Sequence, residues 1–319
     1  NDMLVSDNLP ALLGATPPTL NIGKLRTYGY DIMLSWRDKI ADFRYGITLI
    51  LSDNQNKLVS LKGTSTVSEG LNATREGYPI NSFFGYVSGG VIRTEEELNA
   101  YKSKVINLPN NFGIGDMMYQ DLDGDGKISA VGDNGGDLVY LGNKTPRYTY
   151  SANFDFSYKN FDLSLFFQGV GKRTEMRTGD LIAPFYYRHF QPLQYWYGKT
   201  WNPNNPSAPF PRIIQGNRGY DDLRNWNYQY YSNASHRLLN VAYLRLKNIT
   251  LAYNLPTKWL NVIGLERVRI YCSGEDLLTF ASDKATWNRS FDPEEGWNRD
   301  DDKTYPFAKV ISFGIDVTF

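Results

Sequence analysis

A single cysteine, Cys272, stands in 319 residues. That excludes an intrachain disulfide and a thiolate metal site. Two histidines, His189 and His236, leave little material for a His-rich metal centre or for acid–base catalysis. Neither sign of charge is in excess, since 34 Lys plus Arg balance 34 Asp plus Glu. No net field therefore favours nucleic acid or an anionic membrane surface. No apolar run approaches the ~20 residues of a membrane helix. There is no initiator Met and no basic, apolar leader either. The expectation is a chain that starts after processing or inside something larger.

What the sequence does have is aromatic side chains: 23 Tyr, 17 Phe and 7 Trp, 15 % of all residues, at a mean hydropathy of -0.45. Much aromatic content in a polar chain suits amphipathic strands better than one thick core. The strands can be read directly from period-2 alternation. In 147–158, Tyr148, Tyr150, Ala152, Phe154, Phe156 and Tyr158 share one face, opposite Thr149, Ser151, Asn153, Asp155 and Ser157. The same pattern runs through 26–36 (Tyr28 to Trp36), 41–51 (Phe43 to Leu51) and 161–169 (Phe161 to Phe167). It recurs in 267–274 and in the final stretch from Ile311 to Phe319. Segment 241–253 alternates too, with a change of phase between Leu246 and Ile249 that a β-bulge near Lys247–Asn248 would absorb.

Seven long strands result, and their connections are unequal. Short turns sit near Asp38, at Lys159–Asn160 and around Lys258, whereas 52–146, 170–237 and 275–304 are long and polar. One lipid-like and one wet face per strand, with short turns at one end and long loops at the other, predict an all-β fold: an antiparallel transmembrane β-barrel. The layout is an outer loop segment (1–22), a strand hairpin (23–52), an outer excursion (53–146) and a second hairpin (147–172). A long outer loop (173–237), a third hairpin (238–278), an outer loop (279–304) and a terminal strand (305–319) follow. Bacterial single-chain barrels use even strand numbers with both termini periplasmic. Seven strands do not close, so the expectation is the C-terminal part of a larger barrel. A soluble β-sandwich whose apolar faces meet is the competing fold.

Four stretches, in this order, carry a family resemblance: "EGYPINSFFGYVSGGV" (76–91), "YQDLDGDGKIS" (119–129), "YLRLKNITLAYNLP" (243–256) and "DPEEG…YPFAKVISFGIDVTF" (292–319). Together they resemble the C-terminal part of SusC/RagA-type TonB-dependent outer-membrane transporters of Bacteroidetes. The resemblance implies a ~22-stranded plugged barrel. It also implies a SusD-type surface lipoprotein as partner and TonB contact through an N-terminal part. The implied function is uptake of oligosaccharides or peptides, with no enzymatic step. In that family the last strand and its terminal aromatic, here Phe319, serve as the insertion signal. Two other functions remain open: a siderophore- or vitamin-type TonB-dependent receptor, and a soluble calcium-stabilised carbohydrate-binding β module.

"DLDGDGKIS" spaces Asp121, Asp123 and Asp125 as the first, third and fifth positions of a calcium loop, with Gly126 at the sixth and the Lys127 carbonyl at the seventh. The twelfth position is Gly132, and Asp133 comes one residue late. The expected ion is Ca2+ or Mg2+; an acidic turn capped by its own backbone is the alternative. No organic cofactor is expected. Tyr186, Tyr187, Trp196 and Trp201 have ring faces that could stack on sugars or pack the loop on itself. Asp292, Glu294 and Glu295 read as surface acids. Trp36, Tyr158, Phe161, Tyr253 and Trp259 lie near short turns, where an interfacial aromatic girdle belongs. Cys272 falls on the lipid side by alternation.

Overall fold

The computed structural model describes residues 3–6, 19–61, 70–130, 136–177, 181, 183–184, 192, 194–214, 221–229, 234–282, 292–294 and 307–319. Its main sheet has eight strands: β1 (Met3–Ser6), β2 (Thr19–Ile40), β3 (Phe43–Ser60), β4 (Arg147–Tyr158), β5 (Phe161–Lys172), β6 (Tyr243–Asn254), β7 (Arg267–Ala281) and β8 (Val310–Thr318). The strands of this sheet neighbour one another in chain order, with the short strands of the smaller sheets lying in the connections, and every pairing is antiparallel. An up-and-down meander of this kind is what a barrel wall requires. The seven strands expected from alternation are all present. β1 is additional: it pairs with Thr19–Gly23 of β2, inside the segment read as loop.

The register carries the apolar positions across the sheet without a break. Trp36 pairs with Ile47, Ile47 with Phe154, Phe154 with Leu165, Leu165 with Ile249, Ile249 with Gly274 and Gly274 with Ile311. A slip of one residue anywhere would turn a whole strand inside out. The predicted phase change is real: the β5–β6 and β6–β7 ladders both shift at Lys247, which has no register partner. That bulge returns Leu246 and Leu244 to the apolar face.

The apolar face is exposed. Trp36 and Leu34 are each 63 % exposed and Phe313 81 %. The other, smaller sheets have two or three strands, and among the described residues no second sheet covers this face. A sandwich is therefore excluded for the described residues. A continuous apolar surface of this breadth needs a partner, and a hydrocarbon band is the one that matches a meander with a wet opposite face. Among the described residues no helix is long and apolar enough to cross a membrane.

Aromatic rings gather at the end of the sheet bearing the short turns. Phe161 lies 4.7 Å from Tyr253, Phe43 stacks 6.0 Å from Phe156, and the Lys159 ammonium sits 5.3 Å above the Tyr158 ring. Trp259, on the short helix Thr257–Ile263, is 62 % exposed beside them. At the opposite end β2 and β3 run on past the apolar band. Twenty-two residues of β2 span roughly 70 Å at ~3.3 Å each, more than twice a ~30 Å hydrocarbon layer. The excursion and the long loop fold together above those ends around Tyr86, Ile92, Met117, Tyr119, Leu223 and Trp226. The chain thus has a bare wall below and a packed lobe above.

Candidate functional site

The lobe is fastened at Asp116, which is fully buried. Arg212 reaches both of its carboxylate oxygens, at 2.7 and 2.9 Å, from 96 residues away. Asn227 Nδ2 donates to Oδ1 at 2.8 Å and the Gly113 amide to Oδ2 at 2.7 Å. The Trp226 indole N–H donates to the Met117 carbonyl at 2.8 Å, and the Tyr119 hydroxyl to the Trp226 carbonyl at 3.0 Å. A buried carboxylate is tolerated only when paired and hydrogen-bonded throughout. Asp116 meets that condition by drawing in both long connections.

His236 lies inside the same packing. Burial, with the Arg237 and Arg177 guanidiniums adding to it, pushes its pKa down to about 3, so the ring is neutral. Burial pushes Glu175 upward although Arg173 and Lys144 stand beside it.

The acidic loop projects from this lobe. Carboxylate oxygens of Asp121, Asp123 and Asp125 lie within 4.8 Å of one another, so the three side chains converge. The turn that allows it uses Gly124 and Gly126 at φ 76° and 78°, a region that side chains with a Cβ disfavour. Inward backbone N–H groups hold the acids: Gly124 and Gly126 donate to the two oxygens of Asp121 at 2.7 and 2.9 Å, and Lys127 donates to Asp125 at 2.7 Å. The two ends of the loop are pinned by Asp137, fully buried, which accepts from Leu122 N at 2.6 Å and Ser129 N at 2.8 Å. A carboxylate oxygen has lone pairs left after one such bond, so the donor set fits a hard cation bound by oxygens. Asp133 falls outside the described residues, as do Tyr186 and Tyr187.

Trp196 and Trp201 are spent on packing. Trp196 is 4 % exposed and meets Phe210 edge-on at 5.0 Å and Tyr195 at 5.2 Å. Trp201 packs beside the lobe core, so close to Gly115 that a Cβ there would stand 2.4 Å from the ring. The buried Trp196 offers a sugar no free face, whereas Trp201 is half-buried.

Asp292 and Glu294 depart from the reading as surface acids. Asp292 is 7 % exposed and bonds Arg245 Nη2 at 2.6 Å; Glu294 bonds Arg245 Nη1 at 2.8 Å and Lys247 Nζ at 3.0 Å. Asp276 takes Lys247 at 3.0 Å, and the Phe307 ring lies 4.7 Å from the same ammonium. The bulge at Lys247 aims both cations at one point, where the chain beyond β7 is tied back to β6. Glu295 lies outside the described residues. No sequence signal links Arg245 to Asp292, because charge patterning speaks only for near neighbours.

The comparisons agree with this architecture. TonB-dependent receptors P3 and P26 of Formosa agariphila are 26 % and 28 % identical to the whole chain, which covers 31 % and 32 % of their lengths. Among solved structures, the RagAB peptide importer in its open-open state superposes with a TM-score of 0.72 at 20 % identity. A second structure, of the RagAB peptide transporter, gives 0.72 at 21 %. Each superposition covers all of this chain and about a third of the other. No family model matches the chain. The fold is therefore the wall of a transmembrane β-barrel. The resemblance to the C-terminal part of SusC/RagA-type TonB-dependent transporters holds along the whole chain, which spans about a third of the length of those relatives.

Proposed function

We propose that the chain supplies part of the wall and the outer loops of a TonB-dependent importer in the outer membrane of a Bacteroidetes-type cell. The observation that carries this reading is the unbroken apolar face running in register from Trp36 to Ile311, backed by a polar face and capped by a lobe at one end only. The plug and the TonB contact belong to the two thirds of the relatives' length that the chain does not match. The cargo is an oligosaccharide or a peptide, taken up with a SusD-type surface lipoprotein. Peptides are favoured by the structural likeness to the RagAB peptide importer. Oligosaccharides are favoured by a pocket lined by Asn54, Asn56, Arg147 and Lys172 at one end of the polar face.

In the same reading Phe319, 86 % exposed beyond the end of β8, is the insertion signal. Asp121, Asp123 and Asp125 hold Ca2+ or Mg2+, with the Lys127 carbonyl and Asp133 as further ligands. The ion offsets the repulsion of three neighbouring carboxylates and orders the loop; it takes no part in chemistry.

Growth of the native host tests the proposal. Loss of this gene and loss of TonB should each abolish growth on the same oligosaccharide or peptide as sole carbon source, and a surface lipoprotein should co-purify with the tagged protein. Growth that persists without TonB on a nutrient requiring this gene would refute energised import.

A further inference from the structure

Where β3, β4 and β5 reach the lobe there is a pocket of about 250 Å3. Arg147, Lys172 and Arg173 line it, and no acid does; Asn54, Asn56 and Tyr140 are among the remaining walls. Arg147 and Lys172 are direct register partners on adjacent strands, an arrangement that like charges disfavour. Arg147 is held by both oxygens of Asp53, and Arg173 Nη2 meets Glu175 at 2.6 Å. Asp53 and Glu175 are buried and lie behind the wall. Lys172 is exposed, and among the described residues no acid pairs with it. A concave site lined by one sign of charge concentrates ligands of the other. Here the uncompensated charge is positive.

By strand parity Asn54, Asn56 and Lys172 continue the polar rows of β3 and β5, so the pocket belongs to the wet face at its outer end. The Asn56 Oδ1 accepts from the Ile80 amide at 2.8 Å, which leaves its N–H groups to donate. Tyr140 is 39 % exposed and adds one flat apolar face. Pockets for drug-sized ligands run from ~300 Å3 upward, so this one takes a single ring-sized unit and not a whole chain. One aromatic face, two amides and a cation match a sugar ring with its C–H face, its hydroxyls and one acidic substituent. Pro79 and Leu141 add some apolar wall, so an acidic peptide is the competing occupant that tetraglutamate tests.

We propose that this pocket binds one unit of an anionic sugar chain, its carboxylate or sulfate against Lys172, the lining cation that no acid among the described residues neutralises. The inference rests on the import reading for its purpose. Its test is binding to the intact protein purified in detergent, which needs no transport; failed uptake with intact binding would therefore count against import alone.

Calorimetry with oligogalacturonate, a carrageenan oligosaccharide, a malto-oligosaccharide of equal length and tetraglutamate reads the outcome. At least one of the two anionic sugars should bind, more weakly as salt rises, and which of them binds separates carboxylate from sulfate. Lys172→Gln should lower that affinity roughly tenfold, as removal of one charge-assisted hydrogen bond does, whereas Lys172→Arg should largely preserve it. Lys172 is exposed, so both variants should keep the heat-modifiable migration of a folded barrel. The proposal is overturned if neither anionic sugar binds, if the malto-oligosaccharide binds equally well, if Lys172→Gln changes nothing, or if tetraglutamate binds tighter than both anionic sugars.

Discussion

Arg245 Nη2 and Asp292 Oδ2 stand 2.6 Å apart although 47 residues separate them in the chain. Arg245 is only 2 % exposed and also meets Glu294, so its fork is engaged on both tines. Such a pair adds little net stability over an apolar substitute, but breaking one side leaves charge buried and alone.

Arg245→Met should therefore destabilise the folded protein by ~3–5 kcal/mol, read from denaturant unfolding followed by tryptophan fluorescence. Arg245→Met combined with Asp292→Asn should cost less than the sum of the two single changes, because the second removes the stranded charge. Strict additivity would show that the two residues do not act as a pair.

The acidic loop separates two roles among its carboxylates. Asp125→Asn should weaken calcium binding, measured by calorimetry, and leave the calcium-free protein nearly unchanged, since the Asn oxygen can still accept from the Lys127 amide. Asp137→Asn should instead lower hydrogen-exchange protection of 121–129 with or without calcium, since Asp137 holds the Leu122 and Ser129 amides. Equal behaviour of the two variants would contradict that division.

The seven long strands and the bulge at Lys247 were legible because an apolar face repeating every second residue is a local signal. β1 was not, for four residues, Met3–Ser6, are too few to display a period. Nor was the run of β3 through Asp53–Ser60: Asp, Asn, Gln and Lys are poor strand formers, and only the ladder to β2 holds them extended. The acidic loop declared itself by spacing. Asp116, Asp137 and Asp292 did not, because an acid reads as solvated until its partner is known, and those partners lie far away in sequence for Asp116 and Asp292. Trp196 and Trp201 show the same limit from the apolar side: composition supplies an aromatic ring without saying which surface it faces.

His236 gives the lobe a pH dependence of known sign. An unfolded histidine titrates near 6.5, whereas the buried ring stays neutral down to about 3. Between those values the unfolded state binds the extra proton, so stability is complete above pH 6.5 and is lost as pH falls below it, by up to ~1.4 kcal/mol per unit. Hydrogen-exchange protection of 234–241 should fall over that range, and His236→Gln should flatten the fall. An unchanged slope in the variant would assign the effect elsewhere.

The central claim, a membrane wall with turns on one side and a lobe on the other, is tested most directly by labelling from outside the cell. In a Cys272→Ser background, Tyr197→Cys places a thiol at a position that is 92 % exposed on the lobe, and Lys159→Cys places one in the two-residue turn between β4 and β5. On intact cells an impermeant maleimide should label position 197 and spare position 159, which should react only once the outer membrane is opened. Labelling of 159 with protection of 197 would invert the topology, and equal labelling of both on intact cells would contradict a membrane-spanning wall.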